Sequence, residues 1–97
     1  RFFQHLVDRR VGANNAVQFI GHIPQSKAQM HRHLYEEALV IVSGEGVIWN
    51  EHSRAPLRPG DVIFFPRKHL HSLQCTSPAG MDVVGVIHPG ENPGINY

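Results

Sequence analysis

From Val17 to His88 the apolar residues come in short runs, each closed by a glycine, a proline or a polar cluster, and no stretch carries a convincing helical pattern. Val17 to Ile23 alternates: Val17, Phe19, Gly21 and Ile23 share one parity, Gln18, Ile20 and His22 the other, and Pro24 ends the run. Ala28 to His33 and Glu37 to Ser43 follow as strands. Ser43-Gly44-Glu45-Gly46 reads as a tight turn, with Val47 to Asn50 as the return strand. Ala55 to Arg58 is a weaker strand that Pro56 assigns to an edge. Val62 to Phe65 is a continuous apolar run after the Pro59-Gly60 turn, and Pro66 to Leu70 is a basic loop. His71 to Cys75 and Met81 to His88 complete the series, joined by a turn at Ser77 to Gly80. Short strands at this spacing predict an all-β sandwich or barrel, and a barrel of about eight strands has room for one small ligand.

With 97 residues the chain is expected to form one domain over 1–97, its core at about 17–88 and 89–97 a tail or linker. The first dozen residues hold Phe2, Phe3, Leu6 and Val7 at helical or irregular spacing, and are read as an arm that packs on a partner subunit. The formal net charge of +1 gives no case for nucleic acid or acidic membranes as partners. No apolar run approaches the roughly 20 residues that span a bilayer. The single cysteine, Cys75, excludes an internal disulfide and fits a reducing compartment, so a cytoplasmic location is expected. The sequence does not begin with Met, which fits a fragment, a processed form or the ordered part of something longer.

The eight histidines are the compositional oddity. His31, His33 and Glu37 stand in an H-x-H-x-x-x-E spacing. Two histidines two apart share a face only on an extended backbone. Two imidazoles therefore project together and Glu37 follows, so three side chains can converge on one metal ion. Neutral imidazoles serve as ligands at pH 7, and protonation below about pH 6.5 competes with the metal. Among the rest, His22 and His88 are read as surface or interface residues, and His5 and His52 as solvated surface. Arg67 and Lys68 read as a solvated basic turn, and Arg32, between the two histidines, points to the opposite face. There is no Gly-rich phosphate loop, no G-x-S-x-G, no H-E-x-x-H and no evident carboxylate pair for glycoside hydrolysis.

His31, His33, Glu37 and Gly44 resemble the first motif of the cupin superfamily. Gly60, Pro66 and His71 resemble the second, with Lys68 where that motif has a further Gly. Gln25 stands in place of the leading Gly of the first motif, and Cys75 where many cupins have Asn. The resemblance implies a double-stranded β-helix of jelly-roll type. It also implies one divalent transition metal held by His31, His33, Glu37 and His71. A mixed nitrogen and oxygen donor set of this kind suits Fe, Mn, Ni, Cu or Zn rather than Ca or Mg. Six-coordination leaves two positions open for water, substrate or dioxygen.

Strand parity extends the site. Leu39 and Ile41 share the face of Glu37, Leu73 and Cys75 share that of His71, and His69 shares it if extended backbone continues through Leu70. These five residues are the expected pocket lining. The function that follows is a metal-dependent cupin acting on a small organic molecule, with dioxygenase-type oxidation as the leading chemistry. The alternatives are a metal-dependent isomerase or lyase, and a non-catalytic domain that binds or senses a sugar or organic acid. Small cupins generally pair through sheet edges, so a homodimer is expected, with the arm and Val17 to Ile23 as the material for pairing.

Overall fold

The structure, a computed structural model, describes residues 1–90. Residues 91–97, most of the expected tail, lie outside the described residues. The described chain runs β1 (Phe2–Val7), a short 3-10 helix (Arg9–Val11), β2 (Val17–Ile23), β3 (Ser26–Lys27), β4 (Glu36–Ser43), β5 (Gly46–Trp49), β6 (Arg54–Leu57), β7 (Val62–Phe65), β8 (Ser72–Cys75) and β9 (Met81–His88). Every strand pairing is antiparallel. One sheet has the order β1-β2-β9-β4-β7 and faces a second of order β3-β8-β5-β6. This is the expected all-β jelly roll.

Alternation decides which side chains enter the space between the sheets. In β2 the buried set is Val17, Phe19, Gly21 and Ile23; in β9 it is Met81, Val83, Gly85 and Ile87. The β2–β9 register sets Phe19 against Gly85 and Gly21 against Val83. The glycines leave room for rings. A Cβ on Gly85 would lie 2.5 Å from Phe19 Cζ and from Leu39 Cδ2, and one on Gly21 would lie 2.5 Å from Phe3 Cδ1. The deepest side chains are Ile23, Ile41, Met81, Ile87, Val83 and Cys75, and they form the floor beneath the more open half of the barrel.

Two sequence expectations need correction. The first residues are not a free arm: Phe2–Val7 pairs with β2 as the edge of the larger sheet, and Asp8 caps the short helix that follows. The register shifts between His5 and Val7, and that bulge breaks the period of two by which a strand is recognised. It follows that β2 is an interior strand, flanked by β1 and β9, and offers no free edge for pairing. The second correction concerns Ala28 to His33. No regular strand forms over these residues; β3 (Ser26–Lys27) ends before them, and His31 joins the fold through an isolated bridge to His71.

Candidate metal centre

The bridge between His31 and His71 is closed by two hydrogen bonds: each backbone N–H donates to the other residue's carbonyl at 2.9 Å. It fixes the two imidazoles side by side, with ring centroids 4.5 Å apart. His33 completes the group at 4.9 Å from the His31 ring and 5.0 Å from that of His71. One ring nitrogen from each of the three lies within 4.8 Å of the others, and all three residues are buried. The extended segment thus places His31 and His33 together, as their spacing of two predicts, without a regular strand.

Backbone carbonyls orient two of the rings. His31 Nδ1 lies 2.7 Å from the Gln29 carbonyl, and His71 Nδ1 lies 3.0 Å from the His69 carbonyl. A carbonyl only accepts, so each Nδ1 carries the proton and each Nε2 the lone pair, the tautomer a metal requires. Burial lowers the His71 pKa to about 4; the hydrogen bond to His69 works against this, and the neighbouring imidazoles add to it. His71 is therefore neutral over the physiological range. The donor set, its tautomers and its burial fit a divalent transition ion, and His31, His33 and His71 would hold it.

Glu37 is the second residue of β4, four positions beyond His33. Its Oε1 lies 3.7 Å from His33 Nε2, and its side chain is 12% exposed. Burial pushes its pKa up to about 7. The carboxylate borders the histidine group, whereas the tight cluster consists of the three imidazoles alone. Between them, Tyr35 stacks on His33 with centroids 4.6 Å apart, and burial, then the charge of Glu37, raises its pKa.

These residues form part of the wall of one cavity of about 470 Å³. The rest of the wall is mostly apolar: Phe19, Ile23, Leu39, Phe65, Leu73 and Ile87. Phe65 packs against His71 at 4.2 Å between centroids and shields that side of the cluster. The size and character are those of a small-molecule site.

Of the five expected lining residues, Leu39 and Leu73 face this cavity. Ile41 and Cys75 have the right parity but lie deeper, at 0% and 1% exposed, as core beneath it; the Cys75 thiol donates to the Ser77 carbonyl at 3.6 Å. His69 is exposed and lines a separate depression beside Trp49, because the loop turns before Leu70 and extended backbone does not reach it. His5, read as solvated surface, lines the main cavity with Phe3 and Arg1 because β1 is part of the sheet. His22 and His88 stay on the outside, where His22 Nδ1 meets Asp82 at 2.7 Å and His88 Nε2 meets Asn15 at 3.0 Å. Tyr35 and Phe65 carried signals in the sequence: one continues the spacing of two from His33, the other ends the VIFF run. Phe3 and Arg1 carried none, because the bulge hid their strand.

An antiparallel barrel with a histidine cluster set into the wall of an apolar cavity defines a class of small-molecule-binding proteins. The chain belongs to the cupin family, whose domain model, "Cupin domain", matches residues 21–91. It is 33% identical over 51 residues to the auxin-binding protein T85 of Nicotiana tabacum, covering 50% of this chain and 27% of that protein. It is 32% identical over 65 residues to the oxalate-binding protein of Thermotoga maritima, covering 66% of this chain and 54% of that protein. The matched stretches thus span about half of those relatives or less. Among solved structures, the polyketide cyclase RemF from Streptomyces resistomycificus superposes with a TM-score of 0.79 at 24% identity, over 97% of this chain and 68% of that one. KdgF from Halomonas sp. gives 0.77 at 15% identity, over 92% and 80%. These likenesses establish the fold. No helix among the described residues is long and apolar enough to cross a membrane.

Proposed function

We propose that this cupin is a metalloprotein that takes a small, largely apolar organic molecule into its cavity and oxidises it with dioxygen. One observation carries the proposal: three buried imidazoles, two of them with their tautomers set by backbone carbonyls, sit in the wall of a 470 Å³ mostly apolar cavity. His31, His33 and His71 hold the ion, with Glu37 as the fourth ligand. When bound, a redox-active transition ion supplies Lewis acidity and one-electron chemistry with dioxygen. The chain's own residues do the rest. The Gln29 and His69 carbonyls keep the imidazole lone pairs directed inward. Phe65, Leu39 and Ile87 exclude water and orient the body of the substrate. The relatives named for binding auxin and oxalate support a small organic ligand.

The position of Glu37 supports a second chemistry. A carboxylate beside the three-histidine group, rather than within it, is placed to take a proton from a bound substrate, as an isomerase or lyase requires. The experiment begins with metal analysis of protein purified without added metal, beside His71→Ala. Near-stoichiometric Fe, Mn, Ni, Cu or Zn that is lost in the variant is the expected result. Oxygen uptake with a panel of chelating substrates then tests the oxidase chemistry, and turnover under strict anaerobiosis would replace it with the second. Glu37→Gln separates the two roles of the carboxylate: lost metal makes it a ligand, retained metal with lost turnover makes it a base. Protein that takes up no metal on reconstitution would refute both.

A further inference from the structure

The cavity wall carries one strong cation. Among the described residues that line it, Arg1 is the only lysine or arginine. It reaches the site because β1 is the edge of the larger sheet, and the same strand sends Phe3 and His5 into the wall. Arg1 is exposed as a residue, and its guanidinium is half-buried where it meets the cavity wall. Its Nη2 donates to the Leu73 carbonyl at 2.7 Å, which ties the head group to a residue that itself lines the cavity. That bond uses one of five N–H donors and supplies no counter-charge. Desolvation lowers the pKa of the group, the nearby Cys75 thiol works against this, and no Asp or Glu of the described residues forms an ion pair with it.

We infer that Arg1 is the anion-binding element of the cavity, and that the ligand class is an organic carboxylate whose apolar body separates its acid group from the group that meets the histidine cluster. This deepens the proposed function and rests on it. A planar guanidinium held by one carbonyl is well suited to a carboxylate, which it engages through paired N–H donors. The apolar side chains between the two polar ends, among them Phe19, Leu73 and Ile23, fit a ring or alkyl body. Specificity then comes from two ends. The histidine cluster receives a chelating or oxygen-bearing head, and Arg1 rejects neutral analogues of the tail.

The experiment uses catechols with carboxylate tails of graded length: 3,4-dihydroxybenzoate, 3,4-dihydroxyphenylacetate and 3-(3,4-dihydroxyphenyl)propionate, each beside its methyl ester. Binding is measured by calorimetry to zinc-loaded and metal-stripped protein, for wild type, Arg1→Gln and Arg1→Lys. At least one acid is expected to bind about tenfold or more tightly than its ester. The preference disappears in Arg1→Gln, which can still donate to the Leu73 carbonyl, and returns in part in Arg1→Lys. The affinity of the ester stays the same in all three. An equal affinity of acid and ester in wild type overturns the inference, as does a preference that survives Arg1→Gln or the absence of binding by every acid. The metal comparison keeps the two claims apart. If stripping the metal leaves acid and ester affinities unchanged, the metal-dependent reading fails while the Arg1 preference is judged on its own.

Discussion

Glu37 and His71 pull the pH dependence of the metal-free fold in opposite directions. Glu37 has its pKa raised by burial from 4.5 to about 7. The folded chain therefore holds this proton more tightly than the unfolded one; the resulting stability is full below pH 4.5 and lost as pH rises through 7. His71 is lowered from 6.5 to about 4, so its contribution is full above pH 6.5 and lost as pH falls through 4. Glu37→Gln deletes the first effect alone. In the metal-free protein it should raise stability relative to wild type at pH 8, on the order of 2 kcal/mol, and give little gain at pH 4.5. Urea unfolding at the two pH values checks this, and equal gains at both would remove the desolvated carboxylate as the cause. Lys68 gives a second residue-scale test. It stands where the resembling motif has Gly, and its φ of 69° keeps the left-handed conformation glycine would adopt, while its N–H donates to the His33 carbonyl at 2.8 Å. Lys68→Gly should therefore stabilise the fold by about 0.5–1 kcal/mol, the relieved strain exceeding the added freedom of the unfolded chain; thermal unfolding of the metal-free protein measures it. At this scale the ring-bearing residues of the site were legible as a spacing pattern. The contacts that set their tautomers were not, because Gln29 and His69 act through backbone carbonyls and any residue offers one.

At the scale of elements, period-two patterning was sufficient for β2, β4 and β9, where one face meets the core and the other does not. It failed where the backbone departs from a regular strand. β1 escaped notice because of its bulge, and with it went the part of the cavity wall formed by Arg1, Phe3 and His5. The segment around His31 was read as a strand because two side chains had to share a face, yet one bridge to His71 achieves this. Parity also cannot give depth: Leu39 and Ile41 share a face of β4, but one lines the cavity and the other lies beneath it. The close approach of β2, β9 and β4 at Gly85 is testable. An added methyl would lie 2.5 Å from Phe19 Cζ and Leu39 Cδ2, two side chains that border the cavity. Gly85→Ala should cost about 1–3 kcal/mol by overpacking. The displaced side chains also move toward the cavity, so ligand affinity falls with stability. Denaturant titration and calorimetry on the same variant read both, and unchanged values would show that the strands can separate there at no cost.

The molecule as a whole presents one surface that the barrel leaves uncovered. Pairing across the larger sheet brings Ile20 beside Val84, Val84 beside Val40, and Val40 beside Val62, with Val86, Ala38 and Phe64 aligned in a neighbouring row. Residues directly paired share a face, and this one points away from the core. Val62 is 69% exposed and Phe64 58%, with Val40, Val42 and Val86 also exposed. Monomeric soluble proteins rarely show a contiguous apolar patch of more than a few hundred Å², and the row across β2, β9, β4 and β7 carries no charged residue to break it. A second copy of this chain is proposed as the occupant, since an apolar sheet face can pair with itself under a twofold axis. The pairing expected at β2 is thereby replaced by one proposed at the sheet face, because β2 is an interior strand. Sedimentation velocity at micromolar concentration should show a dimer. Phe64→Lys with Val62→Lys should give a folded monomer, since both side chains point outward, whereas a lysine at the exposed Ala55 on β6, an edge of the other sheet, should leave the dimer intact. A wild-type monomer at that concentration, or a dimer that survives both lysines at the face, would show that the barrel keeps this surface for something other than itself.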